Sequence, residues 1–159
     1  MGLTKSAMGQ HGEAAKIMSE AVVVAEPNLG EDHFGVLAGK LHYAQVLVHL
    51  GRFREAEEML YAVVDKPQYQ KAADEDGEHP DRIIALWYLV GCLERQGKDA
   101  EALGLCEGLV TSLDEIGGNG LGPKHKFATM LKGQMEKLKG KMEGGGDAVV
   151  GNVAVPGEL

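Results

Sequence analysis

The stretch Gly51-Arg52-Phe53-Arg54-Glu55-Ala56 returns 46 residues later as Gly97-Lys98-Asp99-Ala100-Glu101-Ala102. The same interval separates three histidines. His33 closes Leu29-Gly30-Glu31-Asp32-His33, His79 lies in Asp76-Gly77-Glu78-His79-Pro80, and His125 closes Leu121-Gly122-Pro123-Lys124-His125. A partial earlier copy, Gly9-Gln10-His11-Gly12-Glu13-Ala14, lies 42 residues before Gly51. A period of 20–50 residues marks a chain built from one supersecondary unit that buries its apolar face only against its neighbours. Such a chain presents surface, so a catalytic cluster starts from a low expectation.

Between these punctuation points the apolar residues recur at helical spacing. Ala14, Ile17, Met18, Ala21, Val22 and Ala25 form one stripe, with Pro27, Asn28 and Gly30 expected to end it. A second helix is expected from Asp32 or His33, with Asp32 as N-cap and Leu37, Leu41, Ala44 and Leu47 on its inner face, stopping at Gly51. A third follows with Phe53, Ala56, Met59, Leu60, Val63 and Val64, closed by Pro67. After a polar connector over 66–80 comes a fourth, about 80–96, opened by Pro80 and carrying Ile83, Ile84, Trp87, Val90 and Leu93. Gly97 turns the chain into a fifth, about 99–116, with Asp99 as N-cap and Ala102, Leu105, Cys106, Leu109, Val110 and Leu113 inward. A Gly-rich loop leads to a sixth helix, roughly 124–142, weakened by Gly133 and Gly140. The expected organisation is a flexible 1–8, a helical repeat domain over 9–142 and a disordered Gly-rich tail over 143–159.

This unit resembles the tetratricopeptide repeat, in the 42-residue subtype of kinesin light chains. The Gly turn followed by Glu-Ala, at Gly51 to Ala56 and Gly97 to Ala102, and the Gly-x-x-His opening carry the resemblance. Ala44 matches the small residue midway along the family's first helix, and Val90 departs from it. The resemblance implies an all-α, right-handed α-solenoid of stacked antiparallel helix pairs, about six helices in all. It also implies a protein-interaction scaffold that binds a partner protein or peptide on its concave face. First helices line that face in the family, which implies His42, Gln45 and His49, then Tyr88, Glu94 and Arg95, then Gln134, Lys137 and Lys141. In this register the chain opens on a second helix whose own first helix is missing. Its apolar stripe is then left open to self-association, or belongs to a larger array such as a multidomain signalling ATPase.

Composition narrows the alternatives. With 159 residues and a net charge of −8, the chain as a whole is a poor ligand for nucleic acid or an anionic membrane. The apolar run Ala21–Ala25 is far too short to span a bilayer, and no leader pattern precedes it, so a cytoplasmic protein is expected. Cys92 and Cys106 form no metal or redox spacing and read as buried thiols. His33, His79 and His125 sit a repeat apart, on the order of 10 Å per helix layer. Zinc ligands converge within about 2 Å of one point, so helix capping is the expected role. Asp74–Glu78 lacks the first ligand of a calcium loop, and Gly118–Gly122 lacks the Lys of a phosphate loop. No nucleophile has a partner base, so neither an enzyme nor a cofactor is expected. The last helix stands apart in charge. Lys124, Lys126, Lys132, Lys137, Lys139 and Lys141 are six of the chain's 16 bases, and they suggest an anion- or phosphate-facing surface as a rival function.

Overall fold

The computed structural model describes residues 10–67, 80–115 and 126–144. They form six helices: α1 (His11–Leu29), α2 (Phe34–His49), α3 (Phe53–Val64), α4 (Pro80–Arg95), α5 (Asp99–Glu115) and α6 (Lys126–Glu143), with no strand among the described residues. The chain divides into two compact units, residues 1–66 and 67–159. In the first, α2 packs on both α1 and α3; in the second, α5 packs on both α4 and α6. Within each unit every helix therefore lies against its neighbour in sequence. His79, His125, the 68–79 part of the connector, the loop over 116–125 and both chain ends lie outside the described residues.

The turns repeat bond for bond. At the end of α2 the Arg52 N–H donates to Leu47 O (2.9 Å) and the Gly51 N–H to Val48 O (3.0 Å). At the end of α4 the Lys98 N–H donates to Leu93 O (2.9 Å) and the Gly97 N–H to Glu94 O (3.1 Å). This crossed pair of bonds is the Schellman motif, and it needs a left-handed residue between the helices. Gly51 (φ 74°) and Gly97 (φ 75°) supply it. The next helix starts at once, with Ala56 N donating to Arg52 O and Ala102 N to Lys98 O.

Three helix ends differ from the sequence expectation. Pro27 does not stop α1, because it lies in the last turn; the helix runs to Leu29 and Gly30 (φ 92°) ends it. The N-cap of α2 is His33, not Asp32: its Nδ1 accepts from Gly35 N at 3.1 Å, which puts the ring proton on Nε2. Asp32 instead pairs with Lys66 Nζ (2.6 Å), joined by Glu31 (3.5 Å), which ties the end of α3 to the entrance of α2. The hydrogen bond to Asp32 raises the Lys66 ammonium above its ordinary value. Asp99 is likewise not a cap. It is the first residue of α5, and its carboxylate takes Lys141 Nζ at 2.8 Å.

The cores follow the stripes. In the first unit Leu37, Leu41, Ala44 and Leu47 of α2 are buried, as are Ala56, Leu60, Val63 and Val64 of α3. In the second, Ile83, Leu89, Leu93, Ala102, Cys106, Leu131 and Leu138 are buried, and Trp87, only 3% exposed, is a core residue. Each fully buried Leu or Ile contributes about 1.5–3 kcal/mol relative to exposure.

Candidate functional site

The polar residues expected to line a docking face sit on α2, α4 and α6. In the first unit, His42 Nδ1 and Gln45 Oε1 are 3.2 Å apart on successive turns of α2. His49, at the end of α2, stacks its ring on His11 of α1, with centroids 4.9 Å apart and planes within 8°. His42 and Gln45 are half-buried and His49 is exposed.

In the second unit, the expected residues hold one another. The Glu94 carboxylate accepts from Gln134 Nε2 (2.5 Å) and from Lys137 Nζ (2.7 Å), so it bridges α4 to two successive turns of α6. Its side chain is 8% exposed and Gln134 is buried, which makes this a sheltered tie rather than a solvated pair. Tyr88 is buried and Arg95 exposed. Lys141 reaches Asp99 and Lys139 reaches Glu107 (3.1 Å), both on α5. Three of the lysines of α6 thus have carboxylate partners on neighbouring helices, where the sequence shows only Glu136 close by. Lys132 also takes part in an interaction, and Lys124 lies outside the described residues.

Cys92 and Cys106 are free and buried. Burial, with the Glu94 and Glu107 carboxylates near, pushes the Cys106 thiol up to about 12, so it stays protonated and unreactive at neutral pH. Among the described residues no group of three or more His, Cys, Asp or Glu is arranged to hold a metal ion. No helix among them is long and apolar enough to cross a membrane.

One feature lies beyond the polar residues singled out by sequence. Between α1 and α2 opens an apolar cleft of about 190 Å³, lined by Met18, Ala21, Val22, Ala25, Val36 and His42, with Gly35 and Gly39 on its α2 side. Its shape comes from small residues at i, i+4 on both helices, Ala21 with Ala25 and Gly35 with Gly39, a spacing legible in the sequence. Close by on α1 and at the start of α2, Val23 (67%), Val24 (63%), Leu29 (53%) and Phe34 (52%) are exposed.

This succession of helix pairs matches solved structures. A putative kinesin light chain of Podosopora anserina with nearly identical TPR-like repeats aligns, in a variant form, over 90% of this chain and 63% of that chain, with a TM-score of 0.73 and 23% identity. A second crystal structure of that repeat protein aligns over 89% of this chain and 73% of that chain, with a TM-score of 0.64 and 22% identity. The chain has the TPR-like helical-repeat fold. It spans less than two thirds of the length of the first of these TPR-like chains. No family model matches the chain, and no curated protein does.

Proposed function

We propose that this chain is a protein-interaction scaffold without catalysis of its own, its repeat domain covering residues 9–142 and acting in the cytoplasm. A partner protein or peptide docks against first-helix residues: His42, Gln45 and His49 on α2, Tyr88, Glu94 and Arg95 on α4, and Gln134, Lys137 and Lys141 on α6. The TPR-like fold supports the class of function. The apolar cleft with His42 in its wall carries the reading, because an open apolar cleft with a polar group in its lining is suited to gripping a side chain of a partner. Glu94, Lys137 and Lys141 meet a partner as fixed ion pairs. That pairing disfavours the rival reading of α6 as a phosphate-binding surface, since its lysines are largely neutralised within the unit.

Affinity capture with quantitative mass spectrometry tests this reading. Wild type is compared with a His42→Asp, Gln45→Lys double variant that keeps its helical circular dichroism. The reading expects a defined set of proteins to be lost from the variant. An unchanged set, or loss only when Lys132 and Lys139 are neutralised, contradicts it.

A further inference from the structure

Little apolar burial holds α6 in the second unit. Among its described side chains Ala128, Leu131, Gln134 and Leu138 are buried, one of them an amide, and Met130 and Met135 are half-buried. α4, which has the corresponding place one repeat earlier, buries ten residues from Ile83 to Leu93. Gly133 and Gly140 lower the helix propensity of α6 further. A helix of 18 residues draws its stability mostly from packing, and here the packing is thin.

Charge supplies a second hold. Leu131, Gln134 and Leu138 form one stripe at i, i+3 and i+7, and lysines stand on both of its flanks. On one flank Lys137 Nζ reaches Glu94 of α4 (2.7 Å) and Lys141 Nζ reaches Asp99 at the start of α5 (2.8 Å). On the other, Lys139 Nζ reaches Glu107 of α5 (3.1 Å). All three pairs run between helices rather than along α6, so each is lost when α6 moves away.

A thiol lies beside this clasp. Cys106 is fully buried on α5, and its sulfur is near both Glu94 and Glu107, the carboxylates that take Lys137 and Lys139. Cys106 is also two helical turns from Asp99, on the same face of α5. That face is the one the lysines of α6 grip. We infer that α6 is a charge-latched lid over Cys106. When Lys137, Lys139 and Lys141 are screened or neutralised, α6 lifts while α4 and α5 stay paired, and the thiol becomes reachable. Burial is the main reason the thiol stays protonated, so lifting α6 also brings it towards the ordinary reactivity of a cysteine.

The test is alkylation of the full chain by N-ethylmaleimide in urea well below the unfolding midpoint, with each labelled cysteine identified by peptide mass spectrometry. Cys92, fully buried on α4, is the internal control for global unfolding and for any effect of salt on the reagent. Cys106 is expected to label at least about tenfold faster than Cys92. Its rate should rise about tenfold between about 0.05 M and about 1 M KCl, where the screening length falls to about 3 Å. A Lys139→Gln, Lys141→Gln double variant keeps the sheltered pair of Glu94 with Lys137. Its low-salt Cys106 rate should be about threefold higher or more, and its response to KCl smaller. Hydrogen exchange of wild type should show the amides of Leu131 to Leu138 opening with the same salt dependence, while those of Ala85 to Leu93 stay protected. Equal labelling of the two cysteines, a Cys106 rate indifferent to KCl, an undiminished salt response in the double variant, or α6 amides that stay protected at high salt each overturn the proposal. The wild-type series alone decides if the variant does not fold.

Discussion

Replacing Gly97 by Ala isolates the backbone requirement of the repeat turn. Gly97 has φ 75°, and a Cβ built there meets nothing within 4 Å, so the substitution adds no clash. What remains is the intrinsic cost of a left-handed L-residue, about 1–2 kcal/mol. The smaller conformational entropy of the unfolded Ala chain adds to native stability by about 0.4–1 kcal/mol and offsets part of it. A net loss of about 1 kcal/mol is expected. Trp87, the sole tryptophan, is buried in the same unit and reports its unfolding by fluorescence. In urea, a loss of that size moves the midpoint down by about 0.5 M. Gly51→Ala, at φ 74° with equally open surroundings, is expected to cost the same in the first unit, read by circular dichroism. Asn at either site should cost less than half as much, since Asn tolerates the left-handed region. Gly140→Ala is the control of opposite sign. It lies inside α6 with open space around it, and helix propensity predicts a gain of about 0.5–1 kcal/mol. A neutral or stabilising Gly97→Ala, or unequal costs at Gly51 and Gly97, refutes the repeated Schellman turn.

Three other perturbations follow from the ion pairs and thiols. Lys137→Met leaves the sheltered Glu94 carboxylate with Gln134 alone, and thermal unfolding should show a loss of about 1–2 kcal/mol, largely restored by adding Glu94→Gln. Lys40 is 7% exposed while the side chain of its partner Glu26 is 38% exposed, so the two deletions should differ. Glu26→Ala strands a buried ammonium and costs about 1–3 kcal/mol, whereas Lys40→Met stays within about 0.5 kcal/mol of wild type by chemical denaturation. Neither cysteine should react with an aromatic disulfide reagent at pH 8 until denaturant is added. Because the folded Cys106 thiol is pushed up to about 12 from an ordinary 9.0, its contribution to stability is whole below pH 9 and declines as pH rises from there towards 12, which alkaline unfolding curves should show.

Much of this fold is legible in the sequence because two signals coincide, helical apolar stripes and a glycine turn at a fixed interval. Gly51 and Gly97 mark their turns without ambiguity, since no other residue adopts that backbone cheaply. Helix ends are less legible. Pro27 reads as a stop, yet it stands only two residues before the last residue of α1, so the lost bond and the crowding of the carbonyl four residues earlier affect only the helix end, which Gly30 closes. Asp32 is the better cap by propensity, but Lys66, 34 residues later, takes its carboxylate and leaves His33 to cap α2. The pairings of Glu94 with Gln134 and Lys137 span 40 residues or more, so the charge of α6 reads as open in sequence and is closed in three dimensions. The cleft between α1 and α2 escapes a search for chemistry-bearing side chains because glycine and alanine make it.

Hydrogen exchange along the native chain tests most directly whether the side of α1 bearing exposed Ala21 and Val24 is open, where the equivalent Val63 and Leu109 of α3 and α5 are buried. With one side bare, α1 should open locally far more readily than α3 and α5, and its central amides, Met18 to Val22, should exchange at least about tenfold faster than those of Leu60 to Val64 and Cys106 to Val110. Protection in α1 equal to that in α3 and α5, in a protein shown to be monomeric, contradicts the account.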